Sequence, residues 1–162
     1  MDIQWIIADF DQLSAQSVYD MLSLRAEVFV VEQEQPYQDV DYRDLRCRHV
    51  LGYDVATGIL ACHCRVFRCG GYFDDGCIGR VVVKPSYRGT GLGHLLVEKG
   101  IEVHNAMNGR DKSITISAQM RLHKFYEAHG FVKSSTTYQE DHITHFHMTR
   151  PAEQETRPAE CE

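Results

Sequence analysis

Arg88, Gly89, Gly91 and Gly93 form the group in this chain whose residue types and spacing point most directly to chemistry. They follow Val81-Val82-Val83-Lys84-Pro85, which reads as a buried strand stopped by a proline. They also open an apolar stripe of helical period, formed by Leu92, Leu95, Leu96 and Val103. Amides at a helix start have no intrahelical acceptor, and the macrodipole places partial positive charge beside them. Glycines let such a loop take positive φ and approach a ligand closely, and Arg88 adds a cation. The junction therefore suits a diphosphate, held by the amides from Arg88 through Gly89, Thr90, Gly91, Leu92 and Gly93. A nucleotide P-loop is excluded, because neither its lysine nor its hydroxyl follows the last glycine. A dinucleotide fingerprint is not met either. His94 stands where the third glycine belongs, and Asp111 precedes the next strand instead of following it.

A second group could handle a cationic substrate. Glu32, Glu34, Asp39, Asp41 and Asp44 lie within thirteen residues, opposed only by Arg43. Such a segment attracts and orients an amine, or it is simply a solvated loop. Arg25 could hold an acceptor carboxylate or pair with one of these acids. An amine must lose a proton before it attacks, and Glu32, Asp41, Glu140, Asp141 and His145 are the candidate bases. His142, His145 and His147 do not make a metal site, since on a strand only the last two share a face. Cys62-His63-Cys64 has no partner pair. No metal is expected.

These residues sit in a chain of 162 residues, enough for one domain with a real core. The net charge of −6 and the absence of any basic run argue against nucleic acid as a partner. No stretch approaches a membrane span, and the amino terminus lacks a basic signal region. Six cysteines without a C-x-x-C read as reduced thiols, so a cytoplasmic protein is expected.

The elements follow as β–α–β–β–β–α–β–α–β–β. Residues 3–8 form a first strand, and a helix runs from Ser14 to Val31. Strands cover Arg48 to Asp54 and Ile59 to Arg68, and a fourth runs from Cys77 to Lys84 into the glycine loop. The second helix spans Gly91 to Met107 and ends at Asn108-Gly109. Ser113 to Ala118 is a strand and Met120 to His129 a short helix. Phe131 to Tyr138 and Ile143 to Arg150 close the sheet. The pattern is α+β: a mixed, mostly antiparallel sheet with a parallel centre, flanked by helices. One domain fills residues 1–150. Residues 151–162, with two prolines and four glutamates, are expected to be a disordered tail.

Arg-x-x-Gly-x-Gly after V-x-V-x-P resembles the coenzyme A pyrophosphate loop of the GNAT acetyltransferases. Four further blocks resemble the ElaA-type branch of that family. They are Leu24 to Gln33 with Pro36-Tyr37 and Asp41, Gly79-Arg80-Val81-Val82-Val83, Ala118-Gln119 ahead of Leu122-x-x-Phe125-Tyr126, and Tyr138-x-Glu140-Asp141 with His145 and Met148. The likeness covers about residues 3 to 150. It departs at His142-Ile143-Thr144-His145, where the family has a Gly-Ile-Pro-His-like stretch, and at Gln35, where the family often has cysteine.

The resemblance implies the GNAT acyl-CoA N-acyltransferase fold. It also implies direct transfer of acetyl from acetyl-CoA, a co-substrate, to a primary amine of a small-molecule or peptide acceptor. The splayed strand at Val81, Val82 and Val83 would pair with the pantetheine arm, with Gln119 also on the cofactor side. Tyr126 would be the general acid. Arg25, Glu32, Tyr37, Asp41, Glu140 and His145 would face the acceptor. A homodimer through the last strands is compatible with this pattern. Competing readings are an acyl-homoserine-lactone-synthase-like acyltransferase, faintly suggested by Leu24-Arg25-x-x-Val28-Phe29, and a non-catalytic CoA-binding regulatory module.

Overall fold

The computed structural model of the protein describes residues 1–140 and 142–153. Strands β1 (Ile3–Asp9), β2 (Arg48–Asp54), β3 (Leu60–Phe67) and β4 (Gly76–Val83) form an antiparallel meander. Strand β5 (Ile114–Gln119) lies parallel to β4, but the two pair only at Gly76–Ile114 and Cys77–Thr115. Beyond Cys77 they diverge. Strand β8 (Ile143–Arg150) runs antiparallel to the whole of β5, and β6 (Val132–Lys133) and β7 (Tyr138–Glu140) both pair with β8.

Helices α1 (Ala15–Arg25) and α2 (Leu92–Asn108) cover opposite faces of the sheet, and α3 (His123–Glu127) follows β5. All eight residues of β3 are buried, because both of its faces are covered. Cys62, Cys64 and Val66 pack with Leu92, Leu96 and Val97 of α2. On the other side Leu51, Leu60 and Val82 meet Met21 and Leu24 of α1. That second layer is unusually polar: Arg25, His49, His63 and Arg65 are all buried in it or at its edge. Gly76 marks the tightest approach of α2, since a Cβ there would lie 2.0 Å from His104 Nε2.

Three sequence expectations are corrected. The first helix does not continue as an α-helix to Val31. It widens after Arg25 into a π-helix over Ala26–Glu32, with Gln33 N–H donating to Val28 O at 3.2 Å. Val28, Val30 and Val31 are β-branched and crowd the preceding turn of an α-helix, which eases the change. The strand expected from Phe131 to Tyr138 is broken in two. There the Ser135 hydroxyl accepts from the His147 N–H at 2.8 Å, taking the place of a ladder carbonyl. At the carboxyl end, the Glu153 N–H donates to Arg110 O at 2.9 Å and its carboxylate pairs with Arg110 and Arg150, so the structure continues past residue 150. The rest of the expected tail, residues 154–162, lies outside the described residues. Among the described residues no helix is long and apolar enough to cross a membrane.

Candidate active site

The divergence of β4 from β5 opens a cleft of about 730 Å³. One wall is β4 from Cys77 to Val83, and the glycine loop closes one end. Across it stand Gln119 at the end of β5 and Phe125 and Tyr126 of α3. Phe29, Glu32 and Gln33 reach in from the π-helix, while Tyr37, Glu140 and His145 line the remaining side.

The loop has the form a diphosphate requires. Pro85–Tyr87 make one 3₁₀ turn, after which Gly89 takes φ 73° and Gly91, the N-cap of α2, takes φ 84°. A Cβ at either glycine would meet nothing within 4 Å, so their hydrogens face open space. Among the described residues the amides of Gly89, Thr90 and Gly91 have no backbone acceptor, and Leu92 and Gly93 stand in the first helical turn. Thr90 and Leu92 can contribute only backbone. The Thr90 hydroxyl donates to Tyr87 O at 2.7 Å, and the Leu92 side chain is core. Arg88 donates through Nε to Val83 O at 3.2 Å and forks onto both oxygens of Glu32 at 2.9 and 3.0 Å. The expected diphosphate cation and the expected acceptor acid are thus partners across the mouth of the cleft.

Strand β4 carries a bulge facing the cleft. Gly79 is opposite Arg65 and Val82 opposite His63, so two residues of β4 span the space of Cys64 alone. Arg80, the extra residue, has φ 50°. After the bulge, the Lys84 N–H donates to Ala61 O on β3 at 2.8 Å. Alternation from Lys84 turns the Val83 N–H to the open side, and Val81, next to the bulge, borders the same cleft. Acceptance of the Arg88 Nε–H by Val83 O agrees with that direction. The edge of β4 is therefore unpaired along the cleft, where β5 no longer pairs with it.

Tyr126 is buried in the wall, and no described residue hydrogen-bonds its hydroxyl. Burial pushes the phenol above its usual value, so it is fully protonated at neutral pH. His145 lies with its Nδ1 2.8 Å from Ile143 O, a contact in which the ring nitrogen must donate. Nε2 then carries the free lone pair. Tyr138 stacks on the His145 ring, and its hydroxyl is held against Ser117, which also contacts Glu140 at 3.4 Å. Gln119 is anchored on both sides: its Nε2 donates to Gln33 Oε1 at 3.3 Å, and its Oε1 accepts from Arg121.

Arg25 and Asp41 stand apart from the other acceptor candidates. Arg25 has no exposed surface, and its guanidinium is spent on Asp39 and Asp44 at 2.9 and 2.5 Å. Its alternative role, pairing with the acidic segment, is the one the structure shows. Asp41 is clamped by Arg65 at 2.8 Å and does not line the cleft. Burial pushes its carboxyl up, but the hydrogen bond and charge of Arg65 outweigh this and hold it below the usual range. Asp141, another base candidate, lies outside the described residues. Tyr37 faces the cleft with its ring, while its hydroxyl donates to Asp39 and burial raises the phenol to about 12.

Asp44, Cys47 and His49 bring possible metal donors within 4.8 Å of one another. Arg25 and Arg65 already neutralise Asp44, and His49 Nε2 is bonded to its carbonyl, so this set does not suit a cation. Residues that the sequence reading did not single out for the site include Phe29, Gln33, Ser117 and Arg80. Arg80 carried a signal, standing between Gly79 and the valines of the resembling block. Phe29 and Gln33 likewise stood in the resembling block from Leu24 to Gln33, whereas Ser117 carried no signal.

Comparison with known proteins places the fold in a family. The family described as acetyltransferase (GNAT) domain matches residues 55–151. Protein ElaA of Escherichia coli K12 is 36% identical over 150 residues, covering 91% of this chain and 96% of that protein. Its crystal structure superposes with a TM-score of 0.85 at 35% identity, over 92% of this chain and 99% of that one. An acyl-CoA N-acyltransferase from Pseudomonas aeruginosa superposes with a TM-score of 0.86, also at 35% identity and with the same coverage. The fold is that of the acyl-CoA N-acyltransferases. The chain belongs to the GNAT acetyltransferase family, in its ElaA-type branch.

Proposed function

We propose that the protein transfers the acetyl group of acetyl-CoA to a primary amine by direct attack. The observation that carries this reading is the meeting, in one cleft, of the glycine loop, the unpaired edge of β4 and the buried Tyr126. Acetyl-CoA, when bound, supplies an activated acyl group as a thioester. The amides from Gly89 to Gly93 hold its diphosphate, with Arg88 turning from Glu32 to assist. The backbone N–H groups of Val81 and Val83 serve the pantetheine arm and the thioester oxygen, on which negative charge develops during attack.

His145 Nε2 takes the proton of the incoming amine. The N–C bond forms, the C–S bond breaks, and Tyr126 delivers its proton to the departing sulfur. Glu140 and the ring of Tyr37 border the acceptor end, and a carboxylate beside aromatic surface suits a cationic amine. These assignments follow from cleft position and hydrogen-bond state.

The test is a screen with acetyl-CoA against polyamines, amino sugars, amino acids and peptides, following thiol release. Release with one acceptor supports the enzyme. Tight CoA binding with no release from any acceptor would favour a binding module instead.

A further inference from the structure

The bulge of β4 contains an apparent mismatch between sequence and backbone. Its left-handed residue is Arg80, although a glycine stands one position earlier at Gly79. A residue with a Cβ resists that conformation by about 1–2 kcal/mol, so other contacts must hold it there. The Arg80 side chain makes them. Its Nε donates to Asp39 Oδ1 at 2.8 Å, and its guanidinium lies 5.8 Å from the Phe29 ring centre and 5.6 Å from that of Tyr37.

Asp39 is itself fixed from three directions. It is 6% exposed; its other oxygen accepts from Arg25 Nε at 2.9 Å, its carbonyl from Arg25 Nη2 at 3.0 Å, and Oδ1 also from the Tyr37 hydroxyl at 3.0 Å. Arg25 closes α1 and is fully buried. A chain of ion pairs thus runs from the helix, through a buried carboxylate, to the one left-handed residue of the strand that borders the cleft.

We propose that Arg80 is a positioning residue: its ion pair with Asp39 holds the bulge, and the bulge keeps the Val81 and Val83 amides facing the thioester. This inference rests on the acetyl-transfer reading. It assigns the pairing of Arg25 with Asp39 a purpose in catalysis as well as in packing.

Arg80→Ala and Arg80→Gly separate the backbone role from a role of the guanidinium itself. Both remove the ion pair, but only alanine keeps the Cβ that disfavours φ 50°. The readout is the amide proton shift of Val81 in isotope-labelled protein titrated with acetyl-CoA. The native protein and Arg80→Gly should show the shift, and Arg80→Ala should lose it. All three should keep the response of the Gly89 to Gly93 amides. Asp39→Asn should lose the Val81 shift, and adding Arg80→Gly should restore it. An unchanged Val81 response in Arg80→Ala would overturn the proposal. Equal loss in Arg80→Gly would also overturn it, assigning the guanidinium a direct contact instead. If the glycine amides of the native protein do not respond, the acetyl-CoA reading itself fails, and this inference falls with it.

Discussion

Replacing Tyr126 by phenylalanine removes one oxygen from the wall of the cleft and separates catalysis from packing. Among the described residues the hydroxyl has no hydrogen-bond partner, so the change strands no buried donor or acceptor. Stability should stay within about 0.5 kcal/mol of the native value, because the ring keeps its edge contacts with Phe125 and Phe131. The rate should behave differently. A positioned general acid contributes roughly 10²- to 10⁴-fold, so the loss of transition-state stabilisation is at least about 2.7 kcal/mol.

Burial sets the sign of the pH effect. The Tyr126 phenol titrates above its ordinary value near ~10, so the acid form persists through the neutral range. Tyr126 should therefore cause no alkaline decline in rate below about pH 10. The assay is thiol release at saturating acetyl-CoA and acceptor, alongside thermal unfolding. The deficit should shrink with an acetyl thioester of a more acidic thiol, which needs less help to leave. A kcat within twofold of native, or an equal deficit with both thioesters, would refute the general-acid assignment.

Glu32→Gln should tighten CoA binding, because Arg88 no longer has to leave a carboxylate. The pair is partly exposed, so the gain is at most about 1 kcal/mol, or roughly fivefold in Kd by calorimetry; weaker binding would contradict the competition. Gly76→Ala places a methyl 2.0 Å from the His104 ring and should cost about 1–3 kcal/mol in denaturant unfolding, and a neutral effect would mean that α2 yields there freely. Acid should weaken the fold before its carboxylates titrate. Burial, followed by the charges of His49 and Arg25, pushes the His63 imidazole well below its ordinary value, and burial also lowers His49. The unfolded chain therefore gains these protons first. Their contribution is full well above about pH 6.5 and declines as pH falls below it, by at most about 1.4 kcal/mol per pH unit for each imidazole, until the folded state takes up the same proton. Unfolding free energies equal at pH 7 and pH 5.5 would contradict this.

The strand, glycine loop and helix start of the candidate site were readable because their determinants are local. Val81 to Gly93 supply strand, stop, loop and helix start within a short stretch, and the structure assembles them in that order. The limits of β2 and β8 were equally clear from their composition. What escaped depends on contacts between distant residues. The partners of Arg25 lie 14 and 19 positions along the chain, so its type alone left a substrate role open. The break between β6 and β7 is made by a hydroxyl competing for an amide of another strand. The bulge was hidden because Gly79 invites the left-handed conformation that Arg80 adopts. Strand periodicity cannot show that an ion pair reverses that preference.

The most direct measurement is a crystal structure of the protein with CoA bound. The predicted result is a diphosphate within hydrogen-bonding distance of the Gly89 to Gly93 amides, pantetheine alongside Val81 to Val83, and Arg88 released from Glu32. A diphosphate seated anywhere else, with those amides facing solvent and Arg88 still paired, would contradict the assignment of this cleft.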